Sequence, residues 1–410
     1  MAVVALRLSP QSRAALLLVV AAMTGAQTVG SLCMFALPAV APSIAETIGT
    51  TPALIGYQAS LLYLGAMAAA AMGGEAIAVA GPCRTTQLCL LGCSIGLAAT
   101  ASASVLGIAV ASVAVGAAYG MMNPAASHLL AMVTSGANRN VVFSIKQTGV
   151  PLGGVLAGLM LPALATAFGW RAAVLAAAAL TAALALLLQP LRAALDAERP
   201  ARQPGRVSPF AGIALVWARP VIRCLVLTGL LLAAVQFTLT TFLVTLLVED
   251  VGLSLLAAGL LLAVMQTTAS VARIAWGWLA DWRRDGNLVL TGLAAGSALS
   301  TAALMALGPQ WSQAAILPLL VLVGASAAAW NGIFMAELAR NAPPAPIGSV
   351  VGGGMVFTFA GALSGPALFA AVHALLGRYT LTCAILAALS AAAVVLLARA
   401  RRLAAAPATS

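Results

Sequence analysis

The chain has 410 residues, 62% of them hydrophobic and only 7% charged, with a formal charge of +11. So few charges cannot cover the water-exposed surface of a chain this size, which excludes a soluble globular protein. The basic excess does not point to nucleic acid either, because no basic stripe carries interleaved aromatics.

Apolar runs of roughly 20 residues, each enough to cross about 30 Å of hydrocarbon as a helix, recur along the whole length. They are too long and too rich in Leu and Ala for barrel strands. Spans are expected near 14–37, 54–74, 85–104, 106–133, 141–167 and 170–189. After a break they resume near 221–247, 255–278, 288–307, 313–337, 347–372 and 379–398. This predicts an all-α membrane protein with twelve transmembrane helices. Arg7 and Arg13 ahead of the first run imitate a signal peptide. The run is long, however, and no small-residue cleavage pattern precedes Pro38, so it is taken as span 1. With the N-terminus in the cytoplasm and the spans alternating, 18 of the 20 Lys and Arg fall on the cytoplasmic side, leaving Arg171 and Arg378 outside. That bias orients the chain with both termini cytoplasmic.

Polar groups inside spans are expensive and are therefore candidates for function. Span 1 carries Gln27, span 4 Asn123, span 7 Gln236 and span 10 Asn331, with Gln58 and Gln266 in spans 2 and 8. Each amide has two readings, substrate contact or a hydrogen bond between helices. Cys89 and Cys93 lie one turn apart in span 3, but without nearby His or carboxylates they read as core residues. No metal site and no cofactor is expected. Span 5 opens Lys146-Gln147-Thr148-Gly149-Val150-Pro151-Leu152-Gly153-Gly154, with Gly158 four further on. Gly154 and Gly158 form a small-xxx-small face, and Pro151 invites a bend. Lys146 either snorkels to the headgroups or faces the interior and attracts an anion, and Arg273 in span 8 poses the same choice.

Pro190–Pro220 is the one long polar segment, with five prolines among Arg, Asp and Glu. It reads as a cytoplasmic linker between an N-terminal six-helix bundle (1–189) and a C-terminal one (221–410) with a short basic tail. Internal repetition agrees. Val115-Gly116-Ala117, Asn123 and Leu130-Ala131 recur as Val323-Gly324-Ala325, Asn331 and Leu338-Ala339, always 208 residues on. Leu161-Pro162-Ala163-Leu164 likewise has a counterpart in Gly365-Pro366-Ala367-Leu368.

Span 8 ends Arg273-Ile-Ala-Trp-Gly277-Trp-Leu-Ala-Asp281-Trp-Arg283-Arg284. Arg273, Gly277 and Asp281 share one helix face, and Gly277 removes a side chain where a neighbouring helix is expected to approach. The stretch resembles the Gly-x-x-x-Asp-Arg-x-x-Arg-type loop of the major facilitator superfamily of secondary transporters. The loop after span 2 is similar through Gly74, Gly81 and Arg84, but Ala78 and Val79 stand where the family has Asp and Arg. The start of span 5 resembles the Gly-Pro-x-x-Gly-Gly motif of the antiporters, with Val150 interposed. Gly169-Trp170-Arg171, at the start of span 6, also looks like bacterial members.

The resemblance implies two pseudo-symmetric six-helix bundles, with spans 1, 4, 7 and 10 lining a central cavity, and transport by alternating access. Cavity candidates are then Gln27, Asn123, Lys146, Gln147, Gln236, Gln266, Arg273 and Asn331. Gly74, Arg84, Gly277, Asp281, Arg283 and Arg284 are gating candidates. Gly149, Pro151, Gly153, Gly154 and Gly158 shape the packing. All nine acids fall in loops or at span ends. An interior with Lys146 and Arg273 and no deep carboxylate favours a neutral or anionic organic solute. The alternatives are multidrug efflux, a non-transporting sensor, or a membrane-embedded enzyme. The last lacks a nucleophile, metal cluster or acid/base pair within the spans. The expected partners are a small-molecule substrate and membrane lipid, with no nucleic acid. The coupling ion is left open, with the proton as candidate. The expected setting is a monomer in the bacterial inner membrane.

Overall fold

The computed structural model describes residues 13–70, 77, 79–133, 142, 145–197, 216–217, 219–341 and 347–405. Among them the regular elements are all helical. Among the described residues eleven helical segments, span 10 counted as one, are long and apolar enough to cross a membrane. The remaining one, span 2 (Ile55–Ala70), is described over 16 residues. The other end of its expected range, 71–74, lies outside the described residues. Span 1 is Arg13–Ala39, span 3 Pro82–Ala99, span 4 Val105–Val133, span 5 Gly149–Phe168 and span 6 Trp170–Leu187. Span 7 is Pro220–Glu249, span 8 Leu255–Arg283 and span 9 Gly286–Leu304. Span 11 is Ile347–Leu376 and span 12 Tyr379–Ala405. Span 10 is broken: Gln313–Ala327 and Asn331–Asn341 are separate helices.

Local chemistry sets many of the ends. Ser254, Asp285 and Ser312 cap spans 8, 9 and 10, each side chain accepting from the backbone N–H three residues on. Pro82 and Pro220 open spans 3 and 7, where a missing N–H costs nothing. Between these ends the helices are apolar on every side, so amphipathicity cannot select which face packs. Glycine does it instead. Gly116 of span 4 seats on the Leu62 carbonyl of span 2, and Gly324 of span 10 on the Met265 carbonyl of span 8. Gly149 and Gly153 of span 5 lie on the carbonyls of Thr24 and Thr28 in span 1. Gly361 and Gly365 of span 11 lie on those of Leu230 and Ala234 in span 7. These four pairs of elements repeat the same kind of approach in both bundles, which is the pseudo-symmetry at the level of single atoms.

The two bundles meet away from the face that carries the chain ends. There Gly56 of span 2 faces the Pro366 carbonyl of span 11, and Gly259 of span 8 faces the Pro162 ring of span 5. These two contacts are again symmetric copies. Ser60 Oγ adds a hydrogen bond to the Leu363 carbonyl at 2.6 Å. Tyr63 and Phe237 pack ring to ring across the bundles at 4.8 Å between centroids. At the terminal face no ion pair joins the bundles among the described residues.

The segment after span 6 departs from a free linker. Its first residues turn back as a short helix, Arg192–Leu195, and deliver Asp196 to the start of span 3. The Asp196 carboxylate accepts from the backbone N–H of Cys83 at 2.7 Å and of Arg84 at 3.1 Å. It thereby satisfies two orphan donors at a positive helix end. Gly81 makes room: its φ is +91°, and a Cβ there would strike the carboxylate. Asp196→Ala is expected to cost on the order of 1–2 kcal/mol. The purified variant should melt a few degrees lower, and an unchanged melting temperature would count against this anchoring.

Candidate functional site

In the N-terminal bundle a polar cluster joins spans 1 and 4. Gln27 Nε2 donates to the Tyr119 hydroxyl at 2.6 Å, and Ser31 Oγ lies 3.1 Å from the same oxygen. Gln27 and Ser31 are one turn apart on span 1, so both reach Tyr119. Gln27 is 1% exposed, and its Oε1 finds no partner among the described residues. Gln58, by contrast, donates to Ser112 at 2.8 Å and ties span 2 to span 4.

One turn beyond Tyr119, Asn123 accepts through Oδ1 from the ammonium of Lys146. Lys146 also reaches Gln147 Oε1 at 3.5 Å and is only 2% exposed. It therefore turns inward and does not snorkel. Its position follows from the backbone. The chain is helical over 145–147, turns at Thr148, and restarts as span 5 at Gly149, which lies against Gln27. Pro151 falls in the first turn of that helix, where a missing N–H is tolerated. Gln147 is exposed beside Thr148.

In the C-terminal bundle the central feature is the break in span 10. Arg273 Nε and Nη2 both donate to the Ala328 carbonyl, at 3.1 and 3.0 Å. Trp276 Nε1 donates to the Ala325 carbonyl at 2.7 Å. These are carbonyls that an interrupted helix leaves without backbone donors. Trp330, fully buried, fills the gap and packs edge-on against Phe334. Asn331 and Gly332 start the second piece. Span 8 packs on span 5, so the two bundles meet along it. Gln266 packs on Gly154, also across the bundles, and Gly158 meets Gly259 and Ala263 one turn further. Gln236 is buried in span 7 and its Oε1 has no hydrogen-bond partner among the described residues.

The site candidates are therefore not all together. Lys146, Asn123 and Gln147 form one group, with Gln27 beside Gly149. Arg273 and Asn331 form a second, at the span 10 break. Neither Lys146 nor Arg273 has an acidic partner among the described residues. Tyr119 and Ser31 were not singled out from the sequence. Their signal was available: each sits four residues from an amide, Asn123 and Gln27 respectively.

The gating candidates behave differently. Gly74 lies outside the described residues. Arg84 is half-buried, with its Nη1 3.5 Å from Gln87 Oε1. Among the described residues no atom lies within 4 Å of where a Gly277 Cβ would stand. Asp281, Arg283 and Arg284 are exposed, and the Asp281 carboxylate forms no ion pair among the described residues. Arg284 closes span 8 in a left-handed conformation, its N–H bonded to the Asp281 carbonyl at 3.2 Å. Among the described residues the ion pairs at the terminal face are Asp285 with Arg401 at 3.0 Å, Glu337 with Arg340 at 2.5 Å and Arg192 with Asp196 at 3.7 Å. Glu337 corrects the placement of the acids. Its helix runs on to Asn341, so the carboxylate is 4% exposed inside the span, against Gly286 at the start of span 9.

A family profile described as Major Facilitator Superfamily matches residues 16–366. Among solved structures the chain is similar to the nucleoside transporter NupG, with a TM-score of 0.75 and 17% identity, covering 95% of this chain and 99% of that one. It is similar to the peptide transporter POT at a TM-score of 0.75 and 13% identity, covering 94% of each. It is also similar to a bacterial homologue of the human lysosomal transporter Spinster in an inward-facing, unoccupied conformation. There the TM-score is 0.70 with 18% identity over 96% of each chain. At these identities the likeness is one of fold. No curated protein matches the chain.

Proposed function

The chain belongs to the major facilitator superfamily, and from that premise we propose that it is a secondary transporter of a small organic anion. The observation that carries this reading is a pair of interior cations, one from each bundle. Among the described residues Lys146 is held by amide oxygens and Arg273 by a backbone carbonyl. An unpaired charge in a low-dielectric interior is costly, and an anionic solute would relieve it.

Alternating access supplies the mechanism. The bundles, 1–189 and 221–410 joined by 190–220, rock about a site between them. Contacts between the bundles at the far face, and the open space at Gly277 among the described residues, support a cavity open at the terminal face. With the termini cytoplasmic, as the Lys and Arg bias supports, this is the inward-open state of an inner-membrane protein acting as a monomer.

The test is a thermal-stability screen of the purified protein against small carboxylates, neutral solutes and lipophilic cations. A ligand that binds the native state raises the melting temperature by mass action. Carboxylates are expected to stabilise and then to be carried in liposome flux assays. Stabilisation by lipophilic cations with no response to carboxylates would replace this reading with drug efflux.

A further inference from the structure

A cavity of about 160 Å³ lies where the turn after span 1 meets spans 2 and 4. Leu37 of span 1, Ile44 of the short helix Ala41–Ile48, Leu61 of span 2 and Ile108 of span 4 line it. Every lining residue falls within 37–109, so a ligand there touches the N-terminal bundle alone. Leu54, Tyr57 and Val105, also in its wall, are exposed and leave it open to the surface. An engineered apolar cavity of about 150 Å³ takes up a benzene ring, so this one has room for a ring of that size.

One polar residue of the wall is buried. Gln58 is 8% exposed, and its Oε1 finds no hydrogen-bond partner among the described residues. The neighbouring bonds fix which end of the amide is left over. Ser112 Oγ donates its single hydrogen to the Ile108 carbonyl at 2.7 Å, so towards Gln58 it can only accept. Gln58 must therefore present Nε2 to it, at 2.8 Å, and Oε1 stays without a donor. A buried acceptor left unmade is costly, and an apolar cavity holds water poorly. The last torsion of a glutamine is soft, so Oε1 can tilt towards a donor in the cavity.

We propose that this cavity is a binding site for a neutral, ring-sized molecule with one O–H or N–H donor, of the phenol class. The ring lies against the apolar walls and the hydroxyl donates to Gln58 Oε1. The site is separate from the one between the bundles and independent of what the protein carries. Gly56 and Ser60, two residues to either side of Gln58, make the far-face contacts with span 11. Residues two apart on a helix point to nearly opposite sides. The ligand thus backs the helix whose other side closes that face.

The experiment titrates para-fluorophenol and para-fluoroanisole against the purified full-length protein in nanodiscs. Binding is read by fluorine NMR, with empty nanodiscs as the blank. In the ether a methyl group takes the place of the donated hydrogen. The phenol is expected to bind saturably and about tenfold more tightly than the ether. Gln58→Leu should remove that preference. Ala45→Phe, which puts a ring into the cavity, should abolish saturable binding of both. No saturable binding of the phenol, equal affinity for the two ligands, or binding that both variants leave unchanged overturns the site. The two ligands are compared in the unaltered protein, so a variant that fails to fold leaves the test intact.

Discussion

Gly259→Val slows transport while leaving the chain folded. A Cβ at Gly259 would lie 2.5 Å from the Pro162 ring and closer still to the Gly158 carbonyl. Neither neighbour can yield, because one is a ring fixed in its helix and the other is backbone. Overpacking of this kind costs about 1–3 kcal/mol, which as a population shift is about 5- to 150-fold. The cost falls only on states in which the bundles meet at the far face. Flux into liposomes should therefore drop by about that factor, and a cysteine reporter at the far face should become more reactive. The melting temperature should change little, because the contact is between bundles and not within one. Gly56→Val, at the symmetric position against Pro366, should do the same. Near-normal flux in both variants would mean that far-face closure is not part of the cycle.

Arg273→Lys separates charge from shape. Lysine keeps the positive charge but cannot place two donors on the Ala328 carbonyl as the guanidinium fork does. Hydrogen bonds from a charged group are worth about 1.5–3 kcal/mol each, so losing the fork should loosen the span 10 break and slow flux by about 100-fold. Carboxylate binding, measured by thermal shift, should survive in Arg273→Lys within roughly tenfold, since it depends mainly on charge. Arg273→Met should lose flux and weaken carboxylate binding well beyond tenfold. Flux near the unaltered level in Arg273→Lys would show that the fork on span 10 does not matter for the cycle.

The break itself shows where reading the sequence stops. Residues 327–330 are Ala-Ala-Ala-Trp, with neither glycine nor proline, and by propensity they continue a helix. The interruption exists because Arg273 and Trp276, some fifty residues earlier, offer donors to the carbonyls it frees. No window along span 10 contains that information. Asp196 is a similar case. A proline-rich segment follows it, so it reads as linker, and only the fold brings it to the N–H groups of Cys83 and Arg84. The broad architecture was legible because it depends on run length and charge bias, which are local or additive. The small residues of span 5 were legible because their spacing survives in any context. Which way Lys146 points was not, since an Ala-rich helix has no strongly polar side to orient it. Tyr119 was overlooked because an aromatic in a membrane span is ordinarily core. Its role appears only beside Gln27 and Ser31.

Closure at the far face consists largely of glycine set against backbone or a proline ring. A gate of lysine and glutamate must freeze several rotors each time it shuts, at about 1.5–2 kcal/mol per long side chain. Gly56 and Gly259 have no rotors to freeze, and the Pro366 carbonyl and Pro162 ring opposite them are already rigid. At those two contacts, opening the gate therefore gains no side-chain disorder and shutting it loses none. The balance there rests on dispersion and on lipid packing around the two bundles, so warming the membrane should change the rate of switching more than it changes which side is open.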